Sequence, residues 1–264
     1  MTPQRSPIRS LRRLRLPVAV ILSIGAARAE DDDLFAPSPF VQATAAFEQG
    51  DIARAEALAQ PLADGEAATA EACALLGQVR LRQQRAAEAV TQFERAVTKR
   101  PASAQLRSLL GLALLDQGEG AAPGEGRAPL WQRARAELER AEATDGDCLD
   151  AHMGLLRYHL LDAAAGPAGA AERHAEVSAK LDPLSATYEI GELAEKHGRY
   201  DLAERYYGVI ADLISANPWL RFKHAQMLAR LGRVPEARKE LDGVLQTFPG
   251  FGPAEQLLSG LPVQ

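Results

Sequence analysis

Small and apolar residues recur along this chain at intervals of three and four, the spacing of a buried stripe on a helix. The stretch from Ala89 to Pro101 shows the pattern best, with Phe93 and Ala96 on the apolar side. Such spacing predicts an amphipathic helix. Proline lacks the amide donor that a helix interior needs, so Pro101 predicts its end.

The same landmarks return after a fixed interval of 34 residues. Leu76-Gly77 recurs as Leu110-Gly111, and Gly198 recurs as Gly232. A fixed period of this length predicts tandem helical hairpins. In each hairpin a small residue such as Gly77 would let two antiparallel helices cross closely, and Phe93 would fill the space above the crossing.

The order of a Leu-Gly pair, then Ala, Phe and Pro, resembles the tetratricopeptide repeat (TPR) family. The resemblance implies an all-α fold: a right-handed superhelical solenoid of about six helix-turn-helix units, here called repeats, with a C-terminal capping helix. An irregular Ala- and Leu-rich helical bundle is the alternative, but it would have no fixed register. The small residues expected at the six helix crossings are, in order, Ala43 and Ala55, Gly77 and Ala89, Gly111 and Ala134, Gly154 and Ala171, Gly191 and Ala203, and Ala225 and Ala237.

Residues 1–29 are predicted to be a cleaved export signal. Several arginines make its start basic, the stretch from Leu16 to Ala27 is apolar, and Ala27-Arg28-Ala29 is a typical cleavage site. The apolar stretch is shorter than the roughly 20 residues that span a membrane. An uncleaved N-terminal anchor is the alternative.

The rest of the chain is predicted to be a short leader followed by the repeats. Residues 30–39 begin with four acidic residues and contain two prolines, which predicts a flexible acidic leader. Residues 40–264 are predicted to form a single TPR solenoid domain. Within it, the Gly- and Glu-rich segment 118–129 predicts a disordered, low-complexity loop between the two helices of the third repeat.

Removing the predicted signal makes the chain more acidic. The whole chain has a net charge of −5, and the signal contains six arginines and no acidic residue, so the mature chain has a net charge of −11. Such a chain is a poor phosphate binder. No segment after residue 30 combines clustered Lys and Arg with aromatic residues, so we expect no nucleic-acid partner.

The two cysteines, Cys73 and Cys148, fall in the second and fourth repeats. In a solenoid each repeat contacts only its neighbours, so these thiols should be too far apart to bond. We expect two buried free thiols rather than a disulfide.

No pattern of catalytic residues is found. The glycines between residues 118 and 126 lack the lysine of a phosphate-binding loop, and no nucleophile elbow is present. His152 and His159 are seven residues apart and could share a helix face, but two histidines without a nearby acid make a weak metal site. The sequence favours packed or solvated histidines and predicts no enzyme activity, no cofactor and no metal.

The resemblance implies a groove lined by the first helix of each repeat. Aromatic residues make up only 5% of the chain, yet several fall on or near this face, and aromatic side chains are common anchors of binding surfaces. The alternative is that Tyr188, Trp219 and Phe222 only pack between adjacent repeats. The candidate partner-binding residues are Arg82, Leu112, Leu155, Tyr158, His159, Tyr188, Glu192, Trp219, Phe222 and Gln226.

Within this set, Leu155, Tyr158, Tyr188 and Phe222 suggest an apolar-aromatic patch that binds an extended or helical protein segment. A clamp of Lys and Asn for a partner's C-terminal carboxylate is not supported, because Asn217 is the only asparagine.

These observations predict a soluble, exported, non-catalytic scaffold for protein or peptide partners, which in a bacterium would be periplasmic and would have no membrane span after signal cleavage. The resemblance implies a role in assembling an envelope machine such as a pilus, a secretion system or a polysaccharide exporter. One alternative is an accessory subunit that holds an enzyme or its substrate, as in cytochrome maturation or cell-wall remodelling. Another is a glycan-binding protein whose groove aromatics stack on sugars.

Overall fold

The computed structural model describes residues 37–65, 67–122, 126–162 and 167–262. The predicted export signal and residues 30–36 of the predicted leader lie outside these ranges. The described residues form thirteen α-helices and no strand, which confirms the predicted fold class. The helices are α1 (Pro39–Glu48), α2 (Ile52–Asp64), α3 (Ala70–Arg82), α4 (Ala86–Lys99), α5 (Ala104–Gly120), α6 (Arg127–Thr144), α7 (Leu149–Leu161), α8 (Ala170–Leu181), α9 (Ser185–Lys196), α10 (Tyr200–Leu213), α11 (Pro218–Arg230), α12 (Val234–Thr247) and α13 (Gly252–Gly260).

Successive helices pair into six hairpins, from α1–α2 as the first repeat to α11–α12 as the sixth. The contacts divide the chain into an N-terminal block, residues 1–145, and a C-terminal block, residues 146–264. The N-terminal block contains repeats one to three, and the C-terminal block contains repeats four to six and α13. The single domain predicted over residues 40–264 stays a prediction, and each block is described by itself.

The predicted helix crossings are confirmed in both blocks. A Cβ atom added at Gly77 would lie 2.9 Å from the ring of Phe93, and one added at Gly191 would lie 2.8 Å from the ring of Tyr207. At both crossings the glycine of the first helix is therefore covered by a large side chain from the second helix. We call this arrangement a glycine notch.

The helices of the third repeat are longer than the sequence predicts. Its glycine notch at Gly111 is repeated two turns later at Gly118, where the indole ring of Trp131 covers the glycine. Arg127 then donates hydrogen bonds to the carbonyl oxygens of Gly118 and Ala121, 3.1 and 2.9 Å away, near the end of α5. The loop predicted at 118–129 is therefore too long, because α5 continues to Gly120 and α6 begins at Arg127.

An arginine precedes the second helix of repeats two, five and six and joins two successive second helices. Each one pairs with an acidic residue in the first turn of its own helix and with a glutamate on the second helix before it. We call this arrangement an arginine clasp. The clasps are Arg85 with Glu88 and Glu56, Arg199 with Asp201 and Glu172, and Arg233 with Glu236 and Glu204.

The C-terminal block ends in the predicted capping helix. Helix α13 contacts α11 and α12, and Ala254 joins Ala225, Leu241 and Val244 in one buried cluster. Both cysteines are buried and neither forms a disulfide, as predicted. Among the described residues, no helix has the length and apolar character needed to cross a membrane.

Candidate partner-binding groove

Four of the candidate groove residues belong to the interior of the C-terminal block. Leu155, Tyr158 and His159 on α7 are 1%, 2% and 8% exposed, and Tyr188 on α9 is 7% exposed. The rings of Tyr158 and His159 meet edge to face, with centroids 5.2 Å apart. These side chains therefore offer little surface to a partner and instead hold the first helices in place.

Two glutamates on α9, Glu192 and Glu195, accept hydrogen bonds from side chains on α9, α10 and α11. Tyr188 donates its hydroxyl to Glu192 over 3.0 Å. One turn later, Glu195 accepts from the Tyr207 hydroxyl on α10 and from the Lys223 ammonium on α11, both at 2.8 Å. Burial, and then the charge of Glu195, raise the pKa of Tyr207, so its hydroxyl stays protonated and keeps donating. This network joins α9, α10 and α11.

Helix α11 places an aromatic group beside this network. Trp219 and Phe222 are half-buried and meet edge to face with centroids 5.9 Å apart, and Phe251 lies 5.0 Å from Trp219 and 6.0 Å from Phe222. Phe222 and Phe251 also pack against the buried cluster that α13 covers. Packing between adjacent helices, the alternative raised by the sequence, therefore occurs here, yet both α11 rings keep part of their surface exposed. Gln226 lies one turn further along α11 and is also half-buried.

The N-terminal block contains the two remaining candidates. Arg82 on α3 is exposed, and its guanidinium carbon lies 5.4 Å from the ring centroid of Phe47 on α1. Leu112 on α5 is half-buried. Arg82 thus has the stacked geometry of a cation on an aromatic ring.

Sequence reasoning found Glu192 but not the network around Glu195. Glu195 follows Glu192 at a spacing of three, which places both on one helix face, but this spacing does not show which groups donate hydrogen bonds to Glu195. Lys223 and Phe251 enter from other helices, and no short-range spacing marks them.

Histidines fill the interior of the fourth repeat. The Nδ1 atoms of His152 on α7 and His174 on α8 are 3.1 Å apart, and Nε2 of His152 lies 2.7 Å from the carbonyl oxygen of Gly146. The rings of His159 and His174 stack with centroids 5.7 Å apart. Burial above all, and then Arg173, lower the pKa of His174 to about 3. These histidines are packed side chains, one of the two states that the sequence favours.

Comparison with known families finds the same repeat over much of the chain. Residues 40–103, 74–122 and 188–250 match the family model described as tetratricopeptide repeat, and together they cover more than half of the chain.

One curated relative matches a short segment. Seventy-two residues, 27% of this chain, are 39% identical to cellulose synthase operon protein C of Pseudomonas fluorescens (strain SBW25). The matched segment spans only 6% of that relative.

Two solved structures share the fold at low identity. PilW, described as a widely conserved type IV pilus biogenesis factor, matches with a TM-score of 0.62 and 16% identity, over 83% of this chain and 96% of PilW. A monomeric mutant of IFIT1 with Gppp-AAAA matches with a TM-score of 0.64 and 16% identity, over 84% of this chain and 53% of IFIT1. At such identities the likeness concerns the fold alone.

Proposed function

Because the chain belongs to the tetratricopeptide repeat family, we propose that it is a non-catalytic scaffold that binds a protein segment along α9 and α11. We further propose that it is exported to the periplasm and assists the assembly of a bacterial envelope complex. The observation that carries the binding proposal is the partly exposed surface made by Glu192 on α9 and by Trp219, Phe222 and Gln226 on α11.

This surface combines the features of a binding site on a rigid support. Trp219 and Phe222 offer partly exposed rings held edge to face, and rings that a partner can cover are frequent hot spots. Glu192 is oriented by Tyr188, and Glu195 by Tyr207 and Lys223. Groups held in place before binding lose little conformational freedom when a partner arrives.

We centre the proposed patch on α11. Tyr188 is buried and donates its hydroxyl to Glu192, so we assign it a supporting role. Phe222 and Trp219 keep the contacting role. Leu155 and Tyr158 are too deeply buried to reach a partner without a change in the fold.

Three observations support the envelope role. Residues 1–29 have the composition of an export signal. The matched relative is a cellulose synthase operon protein, and PilW is a pilus biogenesis factor. Because these descriptions name a cellulose synthase operon and pilus biogenesis, we propose that this chain serves a pilus or a polysaccharide exporter.

Site-specific cross-linking in the native envelope tests the binding surface. A photo-cross-linking residue replaces Gln226 on α11 in the full chain, and Gln246, an exposed residue of the same type on α12, is the matched control. We expect one or a few envelope proteins to be captured from position 226 and not from position 246. Equal capture at both positions, or capture at 246 alone, would contradict the proposal. Recovery of the product in the cytosolic fraction would contradict the export part.

Substitution of Phe222 measures how much this ring contributes to binding. For the captured partner, Phe222→Ala should weaken binding by about 2 kcal/mol if the ring is a hot spot, and Tyr188→Phe should weaken it less, because only a supporting hydroxyl is lost. Isothermal titration gives the affinities, and circular dichroism checks that each variant is folded. An unchanged affinity in a folded double variant would remove α11 as the contact surface.

A further inference from the structure

Repeats four and five carry large apolar side chains on the outer face of their second helices. On α8, Val177 is half-buried, and Leu181, four residues later, is 37% exposed. On α10, Val209 and Leu213 have the same spacing and are 46% and 55% exposed. Residues four apart lie on one helix face, so each helix presents a short apolar stripe to solvent.

The repeat itself does not require these residues. Val177 and Leu181 stand six and ten residues after Ala171, the crossing alanine of repeat four, and Val209 and Leu213 stand at the same distances from Ala203. At the same two positions repeat one has Pro61 and Gly65. The other three repeats have polar, charged or glycine residues there. They are Arg95 and Lys99 in repeat two, Arg140 and Thr144 in repeat three, and Gly243 and Thr247 in repeat six.

The two stripes belong to one surface. Arg199 at the start of α10 binds Glu172 in the first turn of α8 over 2.6 Å, so the two helices begin side by side. Further along, Lys180 on the same helix and then Arg205 on α10 lower the pKa of Glu176 on α8, which places Arg205 near α8. The contact of Gly191 with Tyr207 sets the antiparallel register of α9 and α10, and that register places Leu184 opposite Ile214. These two residues, 51% and 37% exposed, extend the surface at the ends of the helices.

We propose that this surface, formed by Val177, Leu181, Leu184, Val209, Leu213 and Ile214 and called the outer patch, binds the outer patch of a second copy of this chain. The proposal is independent of the groove. Exposed apolar patches of this kind commonly mark association sites, and a two-fold dimer uses the same patch on both copies.

The charges beside the outer patch are self-complementary. On α10 the exposed Arg205 comes four residues before Val209, and Asp212 comes three residues after it. If two copies of α10 pack antiparallel with Val209 at the axis, Arg205 of each copy lies within one residue of Asp212 of the other. Asp212 is 81% exposed and its carboxylate lies 3.7 Å from Arg221, so a second cation can still reach it. A membrane surface would favour a basic rim, whereas here the rim carries both signs, including the Lys180–Glu176 pair.

The expected dimer is weak. Helices α8 and α10 have 12 and 14 residues, so each is about 20 Å long. Two such helices side by side, about 10 Å apart, offer a footprint of roughly 400 Å² per copy. Interfaces of this size are typical of transient complexes. We expect a dissociation constant on the order of micromolar to hundreds of micromolar.

Sedimentation equilibrium of the full chain tests the proposal. The average mass should rise from monomer toward dimer between about 1 and 500 µM, the range set by that affinity. Val209→Glu should reduce the association constant at least about tenfold, because it places two like charges at the axis. Leu231→Glu is the matched control, since Leu231 is 39% exposed but lies outside the outer patch, and it should leave the association constant unchanged.

A charge exchange tests the pairing geometry. Arg205→Asp and Asp212→Arg should each weaken the dimer. The double variant should restore it, because the acidic side chain at position 205 of each copy then faces the basic side chain at position 212 of the other. A chain that stays monomeric over the whole range overturns the proposal. The proposal is also overturned if Leu231→Glu lowers the association constant as much as Val209→Glu does. It is overturned as well if the double variant dimerises more weakly than both single variants. If the chain co-floats with neutral phosphatidylcholine vesicles and Val209→Glu abolishes this, the outer patch binds a membrane surface and not a second copy, which also overturns the proposal.

Discussion

The fifth and fourth repeats have the same hairpin arrangement but different interiors. In the fifth, the ring of Tyr207 covers Gly191. In the fourth, the residue equivalent to Tyr207 is Ala175, and buried His174 and Ser178 accompany it on α8. Steric fit thus defines one interior, and hydrogen-bonded and stacked imidazoles define the other. The comparison shows that this hairpin needs a filled crossing but not a particular chemistry to fill it.

The two interiors should respond to different perturbations. The stability of a glycine notch is sensitive to added side-chain volume, because protein interiors are close-packed and an added methyl group would overlap its neighbours. An interior of imidazoles is sensitive to protons, because burying a charged ring is costly. Trp219 lies in the C-terminal block, and its fluorescence can follow both perturbations once Trp131 is replaced by Phe.

The largest effect is expected from filling the notch of the fifth repeat. Gly191→Val should lower the free energy of unfolding by about 3 kcal/mol, because its Cβ would lie 2.8 Å from the Tyr207 ring. Urea unfolding followed by Trp219 fluorescence gives the value. Gly243→Ala on α12 is the control, since nothing lies within 4 Å of an added Cβ there, and it should stabilise by about 0.5–1 kcal/mol. Equal losses at both glycines would show that the notch has no special role.

A smaller effect is expected from acidifying the fourth repeat. The pKa of His174 is lowered to about 3 from 6.5, so below pH 6.5 the unfolded chain binds a proton that the folded chain does not. Stability is therefore unaffected above pH 7 and falls as the pH drops, by about 2 kcal/mol between pH 7 and pH 5. Urea unfolding of the original chain and of His174→Gln at both values measures the difference. A pH dependence that is the same in both proteins would assign the effect to other groups.

The smallest effect is expected from removing a hydroxyl in the fourth repeat. Ser178 is fully buried and its oxygen makes no hydrogen bond with any described residue, whereas the equivalent residues of repeats two and three are Ala96 and Ala141. Ser178→Ala should raise the free energy of unfolding by about 1 kcal/mol, because an unsatisfied buried polar atom is lost. Ser108→Ala is the contrasting case: that buried hydroxyl donates to the Ala104 carbonyl oxygen, so its loss should not stabilise. A lower stability of Ser178→Ala would point to a partner for the hydroxyl.

The sequence predicts the crossings well because both residues of each crossing lie at fixed positions within a single repeat. Gly77 with Phe93 and Gly191 with Tyr207 follow from spacing alone. It predicts the extent of the third hairpin poorly, since a glycine-rich segment suggests a loop, whereas Gly118 serves to admit Trp131.

The histidine interior and the groove surface depend on contacts between separate helices. His152 and His174 meet across a connection of irregular length, so no periodicity brings them together. Register places Tyr188 on the first-helix face, but only its neighbours determine that it is buried while Phe222 keeps an exposed edge. Residue position can therefore be predicted from sequence here, and accessibility cannot.

The arginine clasps affect the order in which the tandem repeats unfold. Tandem repeats without such ties can fray one at a time, because each hairpin is stabilised mainly by its nearest neighbours. Arg199 and Arg233 connect repeats four to five and five to six, which adds coupling across two successive boundaries. The three hairpins after residue 146 should therefore melt as one cooperative segment, and a force applied to the end of the chain would be shared among them.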